Sequence, residues 1–384
     1  MKFIPYGRQH IDKGDIAAVA AVLGGDWLTQ GPKIAQFEKA LCAFTGARYA
    51  VAVANGTAAL HIAALAAGVK PGDEVITSPI TFAASANAVL YTGGKPVFAD
   101  IQADTGNIDP ARIEEKITRR TKAIIPVHFS GHPCEMDKIS RLAKKRKLLV
   151  IEDAAHALGS EYKGGKVGNC RYCDMAILSF HPVKLITTGE GGAVLTNSRK
   201  LYEKLMLLRT HGITKDPSKL TNAGPYDGAW YHEMQTLGFN YRITDFQCAL
   251  GTSQLKKLPA FLAARRRVVR FYEKELSGVP GLALPVEKSY AKSAWHLYPV
   301  RVKDAKTRKI VFDLLRTAGI GAQVHYLPVY LHPYYRRLGY KKGLCPNAER
   351  FYEGEISIPM FQDLKISETA FVARRLKKAF ESLL

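Results

Sequence analysis

Acidic residues are scarce: 34 Asp and Glu stand against 55 Lys and Arg in 384 residues, a formal charge of +21. That imbalance is compatible with three kinds of anionic partner: nucleic acid, a membrane surface or small charged substrates. Long apolar runs are missing. None approaches the roughly 20 residues of a membrane span, and Met1–His10 has no apolar signal region, so a cytoplasmic protein without a membrane role is expected. The six cysteines (Cys42, Cys134, Cys170, Cys173, Cys248, Cys345) are scattered, which suits a reducing compartment. Cys170 and Cys173 form a lone C-x-x-C with no second ligand pair at matched spacing, so no metal is expected. There is no internal repeat and no low-complexity tract. A chain 47% hydrophobic and 23% charged also argues against disorder, collagen and coiled coil.

The basic clusters do not organise the excess charge. Arg119-Arg120, 144–147, 265–267, Arg336-Arg337, Lys341-Lys342 and 374–378 are dispersed and mostly fall on helix-like faces. None has interleaved aromatics, so they read as solvated helix surface and no nucleic-acid partner is expected.

Between about residues 50 and 200, short apolar runs alternate with helix-like stretches. Strands are expected at 50–54, 74–78, 96–99, 123–128, 148–152, 175–180 and 193–196, with helices at Thr57–Ala67 and Thr81–Tyr91. Buried strands alternating with helices predict an α/β domain around a mostly parallel sheet. After about residue 255 the texture changes to a basic helix (Phe261–Leu276), a strand (Leu297–Val302), a helix (Lys306–Ala318) and a strand (Gln323–Tyr326). That order predicts a second, smaller α+β unit, and the length suits two domains. Residues 215–230 read as a long loop.

Three segments carry chemistry. At Asn55-Gly56-Thr57 a strand gives way to a helix, whose first-turn N–H groups and dipole suit a phosphate. Glu152-Asp153 ends another apolar strand, with His156 three residues further on; strand ends of this kind are where parallel sheets bind ligands. Lys184 follows a third strand in a glycine-dense turn (Ser179, Gly189, Gly191, Gly192), where a sheltered amine becomes nucleophile and base. In that order the three segments resemble the fold-type-I pyridoxal-phosphate (PLP) enzymes, whose cofactor needs a lysine, an acid partner for its ring nitrogen and a phosphate cup.

The chain further resembles the DegT/DnrJ/EryC1/StrS sugar aminotransferases from Pro5 to about Pro359. Ile4–Gly7, Trp27–Pro32, Asn55–Thr57, Thr81-Phe82, Glu152–His156, Gly189–Gly192, Gly238–Arg242 and Gln323–Tyr326 occur in family order. The segment Ser179–Lys184 departs from the commoner pattern, which has Thr just before the lysine, and is similar to the pseudaminic-acid branch of the family. Asp26–Thr29 agrees with that branch.

The resemblance implies a fold-type-I architecture with a mostly parallel seven-stranded sheet flanked by helices. A large PLP-binding domain over 1–255, including an N-terminal substrate segment, would be followed by a small C-terminal α+β domain over 256–384. It implies that Lys184 carries the cofactor, that Asp153 faces its ring nitrogen, that Phe82 stacks on the ring and that His156 lies beside it. Gly56, Thr57 and Ser179 would hold the phosphate, and Asn240 would reach it across a homodimer with shared active sites. Tyr6, Asp26, Trp27, Leu28, Thr29, His325, Tyr326, Leu327 and Pro328 would line the sugar pocket, along with Thr57, Ser179 and Asn240. The implied reaction moves an amino group from L-glutamate, through pyridoxamine phosphate, to C4 of a UDP-linked 2-acetamido-2,6-dideoxy-hexos-4-ulose. The product would be UDP-4-amino-4,6-dideoxy-N-acetyl-β-L-altrosamine for pseudaminic acid biosynthesis. The alternatives are another UDP-, dTDP- or GDP-linked keto sugar; a dehydratase of the same fold is disfavoured by Lys184 itself.

Overall fold

The computed structural model describes residues 3–381, so the outermost ends of the expected 1–255 and 256–384 units lie outside the described residues. Seven strands form one sheet: β1 Tyr49–Val53, β2 Glu74–Thr77, β3 Lys95–Phe98, β4 Thr121–Ile125, β5 Leu149–Asp153, β6 Met175–Ser179 and β7 Gly192–Thr196. Their order is β1-β7-β6-β5-β4-β2-β3. All run parallel except β7, which is antiparallel to both β1 and β6. A parallel return needs a helical crossover, whereas an antiparallel one does not. The β6–β7 connection, 180–191, contains no helix, so it doubles back and leaves an irregular loop at the strand ends.

Helices cover the sheet: α1 Lys13–Leu23, α2 Pro32–Thr45, α3 Gly56–Ala66, α4 Ala84–Tyr91, α5 Met136–Arg146, α6 Arg199–Arg209 and α7 Asp245–Leu276. The period-two alternation of the strands divides their side chains between the two faces. Val51 and Val53 pack with Ile177 and the alanine-rich α3, while Ala50, Ala52 and Leu178 pack with Phe37, Leu41 and Cys248. With both faces covered, the strands carry apolar runs such as Ala50–Val53, Met175–Leu178 and Ala193–Leu195. The seven strands expected from the sequence all form, within one to three residues at their ends.

The C-terminal region pairs β8 Tyr298–Arg301 with β9 Glu355–Ile358 and packs α8 Ala305–Thr317 and α9 Ile366–Glu381 around a core of its own. Helix α7 opens with a reciprocal cap between Thr244 and Gln247 and runs unbroken through Pro259. It therefore passes straight through residue 255. Its Leu255 and Leu258 belong to the core under the sheet, and its Val268, Tyr272 and Leu276 belong to the C-terminal core. The strand expected at Gln323–Tyr326 does not form. Gln323 makes a single bridge to Ser357, and the chain then leaves the ladder to wall a cavity. The second expected helix starts at Ala84, and the loop over 215–230 holds one short helical turn, Pro217–Lys219. Among the described residues no helix is long and apolar enough to cross a membrane.

Candidate active site

The carboxyl ends of β5 and β6 and the start of α3 converge on one cavity of about 890 Å³. Open parallel sheets bind ligands at this end because the loops leave a crevice there. Asn55 caps α3, its side chain accepting the Ala58 N–H at 2.8 Å. The N–H groups of that first turn have no partner within the helix, so the turn is an anion cradle. Gly56 sits so close to β6 that an added Cβ would lie 3.0 Å from the Ser179 Cβ and 3.2 Å from its Oγ.

Asp153, the last residue of β5, is 4% exposed. Its Oδ2 accepts the Ser85 hydroxyl at 2.6 Å and its Oδ1 accepts the Ala155 N–H at 3.2 Å. Thr81 lies 2.7 Å behind Ser85, so a short polar chain from the start of α4 holds the carboxylate. The preceding Glu152 points to the other face. It pairs with buried His128 at 2.5 Å and accepts the Cys173 thiol at 3.1 Å, which accounts for one half of the C-x-x-C as internal packing.

Lys184 lies in the 180–191 loop, its backbone held by an N–H to His181 carbonyl bond of 2.9 Å. Burial pulls its amine down to about 8, against the opposing pull of the Asp153 carboxylate. His156 is also held well below its ordinary value, first by burial and then by Lys184, His325 and His128. Its Nδ1 is buried with no partner among the described residues. On the far wall His325 is neutral down to about 3 because burial and Lys184 both oppose its charge. Its ring lies 5.6 Å from that of Tyr6, and the exposed Phe82 ring stands 6.3 Å from Tyr326.

Ten of the residues expected at the site therefore line one cavity: Tyr6, Gly56, Thr57, Phe82, Asp153, His156, Ser179, Lys184, His325 and Tyr326. Seven do not. Leu327 and Pro328 turn away after Tyr326, and Asn240 is exposed, with its backbone bridged to Thr210. Asp26, Trp27, Leu28 and Thr29 lie outside the cavity on exposed chain, fastened to the start of α7 through the Asp245 N–H to Leu28 carbonyl bond and a Thr29–Thr244 bridge. Ser85, Tyr91, Glu190 and Tyr241 line the cavity without having been singled out in the sequence. Ser85 had a weak signal, one helical turn past Thr81-Phe82; Glu190 and Tyr241 lie inside the segments Gly189–Gly192 and Gly238–Arg242 without having been given a role, and Tyr91 sits in no motif.

Residues 9–377 match the model of the DegT/DnrJ/EryC1/StrS aminotransferase family. A Campylobacter jejuni protein named UDP-4-amino-4,6-dideoxy-N-acetyl-beta-L-altrosamine transaminase is 43% identical over 99% of this chain and 98% of its own. Helicobacter pylori PseC, described as an aminotransferase involved in the biosynthesis of pseudoaminic acid, superposes with a TM-score of 0.92 at 37% identity, over 99% of this chain and 100% of its own. A Streptococcus pneumoniae structure described as a sugar aminotransferase in its PMP form superposes at 0.93 with 32% identity, covering 99% of this chain and 100% of its own. The chain belongs to the DegT/DnrJ/EryC1/StrS aminotransferase family.

Proposed function

We propose that this enzyme transfers the amino group of L-glutamate to C4 of a UDP-linked 2-acetamido-2,6-dideoxy-hexos-4-ulose, giving UDP-4-amino-4,6-dideoxy-N-acetyl-β-L-altrosamine for pseudaminic acid biosynthesis. The observation that carries the reading is the sharing of one cavity by a lysine of lowered basicity, a buried carboxylate and a helix N-terminus. The relatives from C. jejuni and H. pylori support the choice of sugar.

The cavity fits pyridoxal phosphate. The close approach of Gly56 to Ser179 leaves room for backbone and hydroxyl but no side chain, which suits a phosphate against the first turn of α3. The orphaned His156 Nδ1 leaves a buried polar atom that a ligand would satisfy. When bound, the cofactor supplies a ring that stabilises a carbanion. Asp153, fixed by Ser85, would face the ring nitrogen and favour its protonated form. Lys184 would hold the cofactor and, as a free amine, would serve as general base at the donor α-carbon, a role worth roughly 10²–10⁴ in rate. Phe82 would cover the ring and keep water off it, while Tyr6, His325 and Tyr326 would orient the sugar.

We assign Asn240 and the exposed Asp26–Thr29 segment to the active site of a second copy in a homodimer, because both lie outside this chain's own cavity. The six free cysteines support a cytoplasmic enzyme, and α7 would join a 1–255 unit to a 256–384 unit. The test is product identification. Purified protein, PLP and glutamate are offered a panel of UDP-, dTDP- and GDP-linked keto sugars, and mass and NMR analysis should return the 4-amino UDP sugar. Preferential amination of another nucleotide sugar would replace the substrate, and absence of glutamate-dependent amination would sink the reading.

A further inference from the structure

Behind His325, on the side away from the cavity, lies a closed ring of hydrogen bonds. The Ser357 hydroxyl is 2.8 Å from His325 Nδ1 and donates to Glu355 Oε1 at 2.5 Å, while Glu355 Oε2 accepts the backbone N–H of His325 at 2.6 Å. Glu355 and Ser357 are both fully buried on β9, and nothing in the proposed chemistry uses either. The second ring nitrogen, Nε2, has no protein partner among the hydrogen bonds of the described residues, and His325 lines the cavity.

We propose that Glu355, acting through Ser357, sets whether His325 turns a hydrogen-bond acceptor or a donor to the sugar, which makes Glu355 a positioning residue for the substrate. The inference rests on the sugar aminotransferase reading given above.

The logic is one of proton counting. An ionised Glu355 can only accept, so the Ser357 hydroxyl points to it, the Ser357 oxygen accepts Nδ1–H, and Nε2 offers its lone pair to the cavity. With a proton on Glu355, the acid donates to Ser357, the Ser357 hydroxyl donates to Nδ1, and Nε2 carries the hydrogen. Adding one proton thus reverses each bond of the chain and leaves the imidazole neutral in both states. The tautomer of a histidine is set by the partner of its other nitrogen. Glu355 is able to hold a proton near neutrality, since burial pushes it up to about 8 against the bonds from Ser357 and His325 and the charge of Arg308. The groups around it are few. Arg308 on α8 donates to the Tyr352 carbonyl, Arg301 opposite on β8 donates to Ala103, and Tyr326 contributes a neutral phenol.

Glu355→Gln separates the states. The amide oxygen must accept the His325 N–H, which turns the amide NH₂ toward Ser357 and locks Nε2 as a donor. Holoenzyme labelled with ¹⁵N-histidine, free of sugar, is read by the ring-nitrogen shifts of His325, assigned with His325→Gln. The wild type should convert from Nε2–H to Nδ1–H as pH rises through about 8. Glu355→Gln should remain Nε2–H throughout, and Ser357→Ala should lose the pH dependence. In turnover, Glu355→Gln should lower kcat/KM for the nucleotide sugar about 10- to 100-fold above the transition, with a smaller loss in the glutamate half-reaction. An identical tautomer in the wild type and Glu355→Gln at high pH, or equal losses in both half-reactions, overturns the relay. A wild type that aminates no nucleotide sugar removes the parent reading alone, because the NMR arm still decides the relay.

Discussion

The Ser85 hydroxyl donates to Asp153 Oδ2 at 2.6 Å, joining the start of α4 to the end of β5 across 68 residues of sequence. Both groups are buried on the cavity wall, so the bond is made to a carboxylate that is largely shielded from bulk water. Removing a donor from a buried carboxylate costs about 1.5–3 kcal/mol. Ser85→Ala should therefore lower kcat about tenfold and weaken retention of PLP. Cofactor titration beside steady-state rates checks both, and Ser85→Thr, which keeps the hydroxyl, should recover most of the loss.

Lys184 answers to pH differently from a surface lysine. Its folded-state value of about 8 lies below the ordinary lysine value of 10.5, so the nucleophilic free amine gains population as pH rises through about 8. The rate at which apo-protein takes up PLP should climb over that interval and level off above it. A rate that keeps climbing toward 10.5 would contradict the sheltered amine. Lys184→Ala should abolish turnover while PLP still binds and can be removed by dialysis, a result read from the visible absorbance of the bound cofactor.

Much of this was legible in the sequence because it depends on local pattern. Apolar runs such as Ala50–Val53 and Met175–Leu178 are buried on both faces, and the residues just after them include Gly56, Ser179 and Lys184, so strand ends and chemistry coincide. Contacts between distant segments leave no such trace. Ser85 reaches Asp153, Glu355 reaches His325, and α7 divides its apolar face between two cores, yet each looks locally like ordinary helix or strand. Gln323–Tyr326 read as a strand because its side chains alternate. The backbone leaves the ladder there because His325 N–H is taken by the Glu355 side chain rather than by a neighbouring strand.

Gly192 marks where β7 passes the turn at the start of α3 that is proposed to hold the phosphate. A Cβ at that position would lie 2.5 Å from the Asn55 carbonyl oxygen and 2.8 Å from the Gly56 nitrogen, both backbone atoms with little freedom to move. Overpacking of this kind costs about 1–3 kcal/mol. Gly192→Ala should lower the urea midpoint accordingly and weaken PLP binding more than a distant variant of equal instability. Gly72→Ala provides that control, since its left-handed backbone (φ 92°) is strained by any side chain while the space around it is open.

Arg265 is a fully buried cation with no carboxylate partner among its hydrogen bonds; its guanidinium donates to the carbonyls of Trp295, His296 and Met360 and to Gln362 Oε1. Burial lowers it only to about 10, so it stays charged at neutral pH. One planar fork satisfies acceptors from two separate segments, a task a lysine ammonium performs poorly. Arg265→Met should destabilise the protein by about 2–4 kcal/mol, because the stranded carbonyls outweigh the relief from burying a charge. Arg265→Lys should recover less than half of that. The consequence reaches the cavity, since the Met360 N–H donates at 2.9 Å to the carbonyl of Tyr6. Loosening Met360 frees Tyr6, so Arg265→Lys should raise KM for the nucleotide sugar by more than it lowers kcat. Urea unfolding with an unchanged m-value, combined with that split in the kinetic constants, tests the stability and the positioning arguments separately.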